Sequence, residues 1–468
     1  MINKKDIKLF LISIGLIAVS CNATNKDKKD TVPERPNILF IFADDWGYGD
    51  LGCYGNTEVK TPNIDQLASQ GTRFTQFHVT SGVCSPSRSS VITGHFPARH
   101  QVHGHFAGNE LNEKRSMPNW LDETLPVYLP RLMQAAGYTT AHFGKWHLGG
   151  GGEPNGDLSA PEPKVYGYDE TRVWNGNGPT WKGDQLWPTT RYMDDDTLWA
   201  QSSSRIAVDA TIDFLKRHIG EKPMFVNLWL KDPHTPLWPS DEQRKLFKDK
   251  GLVPDKETYY SVLADADYHI GRLMAALTEM GLDENTLVIF SSDNGPANYP
   301  PARIAGSTAG LKGRKADIFE GGVDVPFIVR WSGHVSAGKV DHRSVLSSVD
   351  LLPTFCELAH QELPSGYQPD GESVVSIFDN IPFNRTKPLF WEWRFAVKNN
   401  NPNQANQWAA LAVRDGDWKL LADEKRERIE LYNIAEDQYE KNNLAADNSE
   451  KVKKLIAMWN KWKIELPK

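Results

Sequence analysis

Short apolar runs that stop abruptly at polar residues recur along this 468-residue chain. Residues 37–42 (NILFIF) lead into Ala43-Asp44-Asp45, and residues 139–143 (TTAHF) into Gly144-Lys145-Trp146-His147. Residues 224–230 (MFVNLWL) lead into Lys231-Asp232-Pro233-His234, and residues 286–290 (TLVIF) into Ser291-Ser292-Asp293-Asn294. Nearly continuous runs without apolar–polar alternation predict strands covered on both faces, as in a largely parallel sheet. Helical periodicity intervenes over 62–70, 125–136, 206–219 and 259–280, each stretch being followed by glycine. Strand alternating with helix predicts an α/β sandwich. In such sheets ligands bind beyond the carboxyl ends of the strands, so these polar endings are expected to meet at one edge.

From about Gly371 the pattern changes. Residues 408–414 turn at Asp415-Gly416-Asp417 into 418–421, a hairpin signal; 430–433 adds a further strand, and 449–465 reads as an amphipathic terminal helix. The expected organisation is a catalytic domain over 36–370 and a C-terminal α+β subdomain over 371–468. There is no internal repeat, and 149–183 and 399–407 read as surface loops.

The first 35 residues stand apart. Lys4, Lys5 and Lys8 precede an apolar run over 9–19 that is too short to span a bilayer as a mature helix. It ends at Ala18-Val19-Ser20-Cys21, which looks like a bacterial lipoprotein cleavage site. A leader over 1–21 and a flexible polar tether over 22–35 are expected. The protein is thus read as exported: periplasmic, or an outer-membrane or cell-surface lipoprotein anchored to the membrane by lipid on Cys21. The alternative is simple cleavage of a secretory peptide. Of the remaining cysteines, Cys53 and Cys356 read as buried free thiols rather than a disulfide, and no zinc-finger spacing occurs. The net charge of −7, with no basic tract, argues against nucleic acid as a partner. An acidic chain that handles an anion must supply positive charge locally.

Asp44, Asp45, Asp293 and Asn294 form an all-oxygen set. Hard oxygen donors of this kind suit Ca²⁺, with Mg²⁺ second, rather than zinc; taken singly, each pair reads as a strand-end cap or turn. The segment from Cys84-Ser85-Pro86-Ser87-Arg88 to Val91-Ile92-Thr93-Gly94 predicts a helix that opens just after a thiol, with proline in the first turn and Ser85 or Ser87 as cap. Cys84 then sits near unpaired N–H groups and the positive end of a helix dipole, where an anion is favoured. Taken alone, such a cysteine reads as a buried thiol.

This segment resembles the sulfatase signature Cys-x-Pro-x-Arg followed by Thr-Gly. Three further segments are similar to that family: Gly144-Lys145-Trp146-His147-Leu148-Gly149, Asp232-Pro233-His234-Thr235-Pro236, and Gly310-Leu311-Lys312-Gly313-Arg314-Lys315 ahead of Phe319-Glu320-Gly321-Gly322. Leu431-Tyr432-Asn433, Asp437, Glu440 and Asn443-Leu444 extend the resemblance, which runs from about Arg35 to the end. It implies the alkaline-phosphatase-like fold: a large mixed, mostly parallel sheet between helices, with a small C-terminal antiparallel sheet plus helix. It implies that a formylglycine-generating maturation enzyme oxidises Cys84 to formylglycine (3-oxoalanine), and that Asp44, Asp45, residue 84, Asp293 and Asn294 hold the divalent ion. Catalytic roles follow for Arg88, Lys145, His147, His234 and Lys315, the last chosen over Lys312 by counting back from Glu-Gly-Gly. In the implied mechanism one hydroxyl of the hydrated aldehyde attacks sulfur in line with the departing oxygen, which His234 or Lys315 protonates. The other hydroxyl then loses its proton to His147, sulfate is expelled and the aldehyde returns.

One position departs from the resemblance: Asp324 stands where many relatives carry arginine. The histidines His95, His100, His103 and His105 lack a recognised ligand spacing and are expected in a loop that touches substrate, or on ordinary polar surface. Trp174, Trp181, Trp187, Trp391, Trp393 and Arg394 are candidates for a sugar subsite. The expected function is that of a sulfuric ester hydrolase acting on a sulfated polysaccharide or oligosaccharide. The alternatives are a phosphate or phosphonate ester hydrolase of the same superfamily and an inactive glycan-binding surface lipoprotein.

Overall fold

Asn37–Ala43, buried along its whole length, is a central strand of an eight-stranded sheet in the computed structural model of this chain. The structure describes residues 35–149, 159–174, 197–395 and 405–467; the expected leader and, Arg35 apart, the expected tether lie outside them. The strands lie in the order Glu170–Trp174, Thr139–Lys145, Met224–Trp229, Asn37–Ala43, Thr286–Ser292, Phe327–Arg330, Thr72–Phe74 and Lys339–Asp341. The first five are mutually parallel, with Ile41 opposite both Leu228 and Phe290. Phe327–Arg330 runs antiparallel to both its neighbours.

The continuous apolar runs have a simple cause. Alternate residues of the central strand enter two separate cores: Ile38, Phe40 and Phe42 one, Leu39, Ile41 and Ala43 the other. On the first face lie the helices Cys84–Thr93, Leu129–Ala135 and Leu351–Leu358, which contribute Val91, Leu132 and Leu352. On the second lie Pro62–Ser69, Thr197–His218 and Pro254–Glu279, which contribute Leu67, Phe214 and Leu263. Each such side chain stabilises the sandwich by about 1.5–3 kcal/mol through its removal from water.

Several expectations need correction. The helix expected over 125–136 begins only at Leu129, because Pro130 sits in its first turn, while the helices expected at 206 and 259 begin at Thr197 and Pro254. Within the stretch read as a loop, Glu170–Trp174 is an edge strand whose partner, Thr139–Lys145, is distant in sequence. Cys53 and Cys356 are free thiols, as expected, but Cys53 is half-buried where burial was expected.

The C-terminal segment forms a four-stranded antiparallel sheet, Leu389–Glu392, Leu411–Asp415, Trp418–Ala422 and Ile429–Asn433. Its expected hairpin turns through Gly416, whose φ of 60° suits glycine. Ser449–Ile464 covers the sheet with Leu455, Trp459 and Trp462, the last stacked on Phe390 at 4.8 Å. Residues 35–468 form one compact unit. Buried ion pairs tie the small sheet to the short helix Glu320–Val323 and to the strand Phe77–His78: Lys419 contacts Glu320 at 2.6 Å and Glu440 at 3.1 Å, and His78 lies 2.8 Å from Glu320. Asp324 accepts the Phe77 N–H at 3.1 Å in this cluster, where Arg414 of the small sheet supplies positive charge facing it.

Glu392 is a second tie. It lies 2.8 Å from His103 Nδ1, accepts a hydrogen bond from Lys463 and pairs with Arg394 at 3.2 Å. Burial opposes its ionisation, but these partners outweigh burial and hold the carboxyl down at about 2. The folded value lies below the ordinary one, so the stabilisation is complete above about pH 4.3 and is lost as pH falls toward about 2. Glu392→Gln is therefore expected to lower stability at neutral pH by about 3 kcal/mol, with the deficit narrowing in acid. Melting temperatures of both proteins across pH check this; a deficit that does not depend on pH refutes it.

Candidate active site

The polar residues that end the apolar runs do meet at one edge of the sheet. Asp44 and Asp45 follow Asn37–Ala43, Asp293 and Asn294 follow Thr286–Ser292, Lys145 closes Thr139–Lys145, and His234 lies just beyond Met224–Trp229. Gly144 has φ 106°, and a Cβ there would stand 2.0 Å from the Trp229 carbonyl, so only glycine permits this approach of neighbouring strands. Asp45 and His147 adopt φ values of 64° and 54°. Such left-handed backbone is costly for side-chain-bearing residues and concentrates at functional sites.

Cys84 is the first residue of its helix rather than the residue before it, which corrects the sequence expectation. Val83 occupies the cap position and neither serine caps. The Ser85 hydroxyl instead accepts the Phe106 N–H at 3.0 Å, and the Ser87 hydroxyl donates to the Ser81 carbonyl at 3.0 Å. Cys84 Sγ lies 3.4 Å from Asp44 Oδ1 and 3.6 Å from Lys145 Nζ, which also donates to Asp44. Arg88, one turn along, donates from Nε and Nη2 to Asp293 Oδ2 at 2.9 and 2.7 Å and from Nη1 to the Lys145 carbonyl at 3.0 Å. Lys315 Nζ donates to both oxygens of Asp45, at 2.5 and 2.7 Å, whereas Lys312 pairs with Glu430 at 3.0 Å. Lys315, not Lys312, thus stands beside the Asp45 carboxylate.

The two imidazoles present different atoms. His234 donates Nδ1–H to the Thr235 carbonyl at 2.6 Å, which leaves Nε2 toward the carboxylates, 3.7 Å from Asp45 Oδ2. His147 donates Nε2–H to the Phe106 carbonyl at 3.1 Å, and its buried Nδ1 has no partner among the described residues. Each ring is thus fixed in one tautomer with one nitrogen able to exchange a proton.

Three buried carboxylates, Asp44, Asp45 and Asp293, face three buried cations, Arg88, Lys145 and Lys315. Burial opposes ionisation of Asp44, but Lys145, His234 and Arg88 outweigh it and hold the carboxyl well below the usual range. Burial, then Asp44, pushes Asp293 up to about 7 against the pull of Arg88. Burial, then Asp44, pushes the Cys84 thiol far above its ordinary value, so an unmodified thiol here stays protonated and is a poor nucleophile. Crowded carboxylates and a buried Asn294 Oδ1 without a hydrogen-bond partner among the described residues make a donor set suited to a hard cation. Ligand atoms of Asp44, Asp45, Cys84 and His234 lie within 4.8 Å of one another. Asp293 and Asn294 join this group through hydrogen bonds to Asp45, from Asp45 N–H to Asp293 Oδ1 at 3.2 Å and from Asn294 Nδ2 to Asp45 Oδ1 at 2.7 Å.

Other candidates do not converge here. His95 and His100 pair with each other at 3.3 Å, and His103 is held by Glu392; of the four histidines, His105 comes near the site, its ring 6.2 Å from that of His147. Trp174, Trp391 and Trp393 are core residues with no face for a sugar, while Trp181 and Trp187 lie outside the described residues. Arg394 is exposed and pairs with Glu392. Sequence reasoning missed two supports of the His234 turn. Lys231 Nζ donates to the carbonyls of His234 and Pro236 at 3.0 and 2.8 Å, and Asp232 accepts from the hydroxyls of Ser203 and Ser204 at 2.5 and 2.6 Å. Their only signal was a charged pair at the end of an apolar run.

A family model described as Sulfatase matches residues 36–361, and one described as N-sulphoglucosamine sulphohydrolase, C-terminal, matches residues 314–464. The N-acetylgalactosamine-6-O-sulfatase of Bacteroides thetaiotaomicron is 28% identical, over 96% of this chain and 98% of that protein. Arylsulfatase A of Homo sapiens is 34% identical, over 71% of this chain and 66% of its own length. Among solved structures, Ps i-CgsB in complex with k-i-k-neocarrahexaose has a TM-score of 0.76 at 25% identity, over 92% of each chain. A match that runs through every strand ending at this edge supports one conclusion: the chain belongs to the sulfatase family, the sulfuric ester hydrolases.

Proposed function

We propose that this enzyme removes sulfate from a sulfated polysaccharide or oligosaccharide, with formylglycine made from Cys84 as nucleophile and Ca²⁺, or second Mg²⁺, as its metal. The observation that carries this reading is the place of the residue 84 side chain, between the Asp44 carboxylate and the Lys145 ammonium at one sheet edge. Asp44, Asp45, Asp293, Asn294 and residue 84 would hold the ion. When bound, it would neutralise sulfate oxygens and favour the ionised form of the nucleophile. The charges balance: the three carboxylates and three cations cancel, so a divalent ion is matched by a sulfate ester monoanion plus an ionised nucleophile.

The chain's own residues divide the remaining work. Arg88 orients the nucleophile and Asp293. Lys145 and Lys315 are drawn to sulfate oxygens, where negative charge grows during transfer. His234, through Nε2, is the donor to the departing sugar oxygen, with Lys315 as the alternative donor. His147 Nδ1 takes up the proton whose loss releases sulfate. The relatives' names support the substrate class: one acts on a 6-O-sulfated N-acetylgalactosamine, and a structural neighbour holds a neocarrahexaose. Within the one compact unit, a catalytic part over 36–370 and a C-terminal subdomain over 371–468, together with export and lipid on Cys21, belong to the same reading.

Sulfate release from a panel of sulfated mono- and oligosaccharides, beside aryl sulfate, phosphate and phosphonate esters, tests it. Sulfate esters turned over in preference to the phosphorus esters are expected; the reverse order, or glycan binding with no release, refutes it. His234→Ala is expected to slow sugar sulfates by about 10²–10⁴-fold and nitrophenyl sulfate much less, because a nitrophenolate departs without a proton. Equal losses on both substrates would remove His234 from the donor role.

A further inference from the structure

Beside His105, whose ring lies 6.2 Å from that of His147, stands a positive charge that the sulfate-ester chemistry does not use. Arg115 directly follows the short helix Asn109–Lys114. Its Nη1 donates to the His105 carbonyl at 3.0 Å and lies 3.5 Å from His105 Nε2, and its guanidinium stands 5.1 Å from the centre of the Phe395 ring. Arg115 is half-buried, yet among the described residues it has no carboxylate partner. A guanidinium that has lost part of its hydration and faces no carboxylate is placed to bind an anion from outside.

His105 links this charge to the catalytic edge, since its ring lies 6.2 Å from that of His147. Desolvation in the crevice, then Arg115, Lys315 and Lys145, hold the His105 imidazole down at about 3, so it stays neutral at working pH. Lys145 and Lys315 are paired with Asp44 and Asp45, so Arg115 is the charge on this side that has no carboxylate among the described residues. The C-terminal segment fixes this wall. Glu392 holds His103 at 2.8 Å, and the Phe395 ring lies so close to Gly104 that a Cβ there would come within 2.6 Å of it.

We propose that Arg115 is a specificity residue that binds a second anionic group of the glycan, a uronate carboxylate or a further sulfate, on the sugar next to the one being desulfated. Arg115 lies 3.5 Å from His105, whose ring is 6.2 Å from that of His147, so an anion on Arg115 would be borne by a neighbouring sugar rather than by the ester under attack. The inference rests on the sulfatase reading.

The test uses the matured full-length enzyme and one sulfated sugar joined in turn to a neutral, a uronic acid and a sulfated neighbour. The expected KM is about tenfold lower with an anionic neighbour than with the neutral one, an advantage that shrinks at high salt. Arg115→Gln, which can still donate to the His105 carbonyl, and Arg115→Ala are both expected to erase that ratio, while Arg115→Lys keeps part of it. A gain confined to the uronate arm assigns the carboxylate, and one confined to the sulfated arm assigns the second sulfate. Equal KM values for all three substrates in the wild type overturn the proposal, as does an Arg115→Gln enzyme that raises all three alike. No sulfate release from any substrate, aryl sulfate included, overturns the hydrolase reading itself and the proposal with it.

Discussion

Cys84→Ala enzyme is expected to lose turnover by a factor on the order of 10⁴–10⁶, the scale on which removal of a covalent nucleophile acts. The loss should fall on kcat, with the fold intact, because the substitution removes one sulfur atom from a buried position and leaves the helix start at residue 84 in place. Cys84→Ser discriminates further. A serine hydroxyl can form a sulfate ester but has no second hydroxyl through which to expel sulfate, so a sulfated protein that does not turn over is expected. The mature wild-type protein, made with a maturation enzyme, should show at residue 84 the mass loss of thiol-to-aldehyde conversion. Full activity of the unmodified thiol would sink the assignment. Its physical basis would go too, since burial and Asp44 keep that thiol protonated.

Removal of the divalent ion has the second-largest expected effect. A chelator should reduce sulfate release about 10³-fold, and Ca²⁺ should restore it better than Mg²⁺. A second readout does not need activity. The ion binds the folded chain through carboxylates that are far apart in the unfolded one, so saturation at about 100 times Kd should stabilise the fold by about 2.7 kcal/mol. Asp45→Asn removes one carboxylate charge and should lower that thermal gain as well as activity. An enzyme whose melting temperature and rate ignore both chelator and added ion would refute the metal assignment.

Much of this site was legible before any coordinates, and the reason is topological. A parallel sheet places the carboxyl ends of its strands at one edge, so runs such as 37–42 and 286–290 announce where their trailing residues will be. Lys145, His234, Asp44, Asp45, Asp293 and Asn294 were found this way, and the Cys84 and Lys315 segments through their resemblance to a known signature. What escaped was of another kind. Thr72–Phe74, Phe327–Arg330 and Lys339–Asp341 are too short for their pattern to be read, and Glu170–Trp174 is made a strand by its partner rather than by its own residues. Ser85 and Ser87 suit a helix cap by composition, yet tertiary contacts claimed both hydroxyls.

By itself, then, the order of residues determined the layered architecture, the edge at which chemistry gathers and the identity of the charged groups there, because periodicity and strand direction are local properties. Only the folded molecule decided which partners those groups take: Arg88 with Asp293, Lys315 with Asp45, and Arg414 facing Asp324 from a separate sheet. Pairings of that sort depend on the distances between chain segments far apart in sequence. Packing of the two cores sets those distances, and no window along the chain records them.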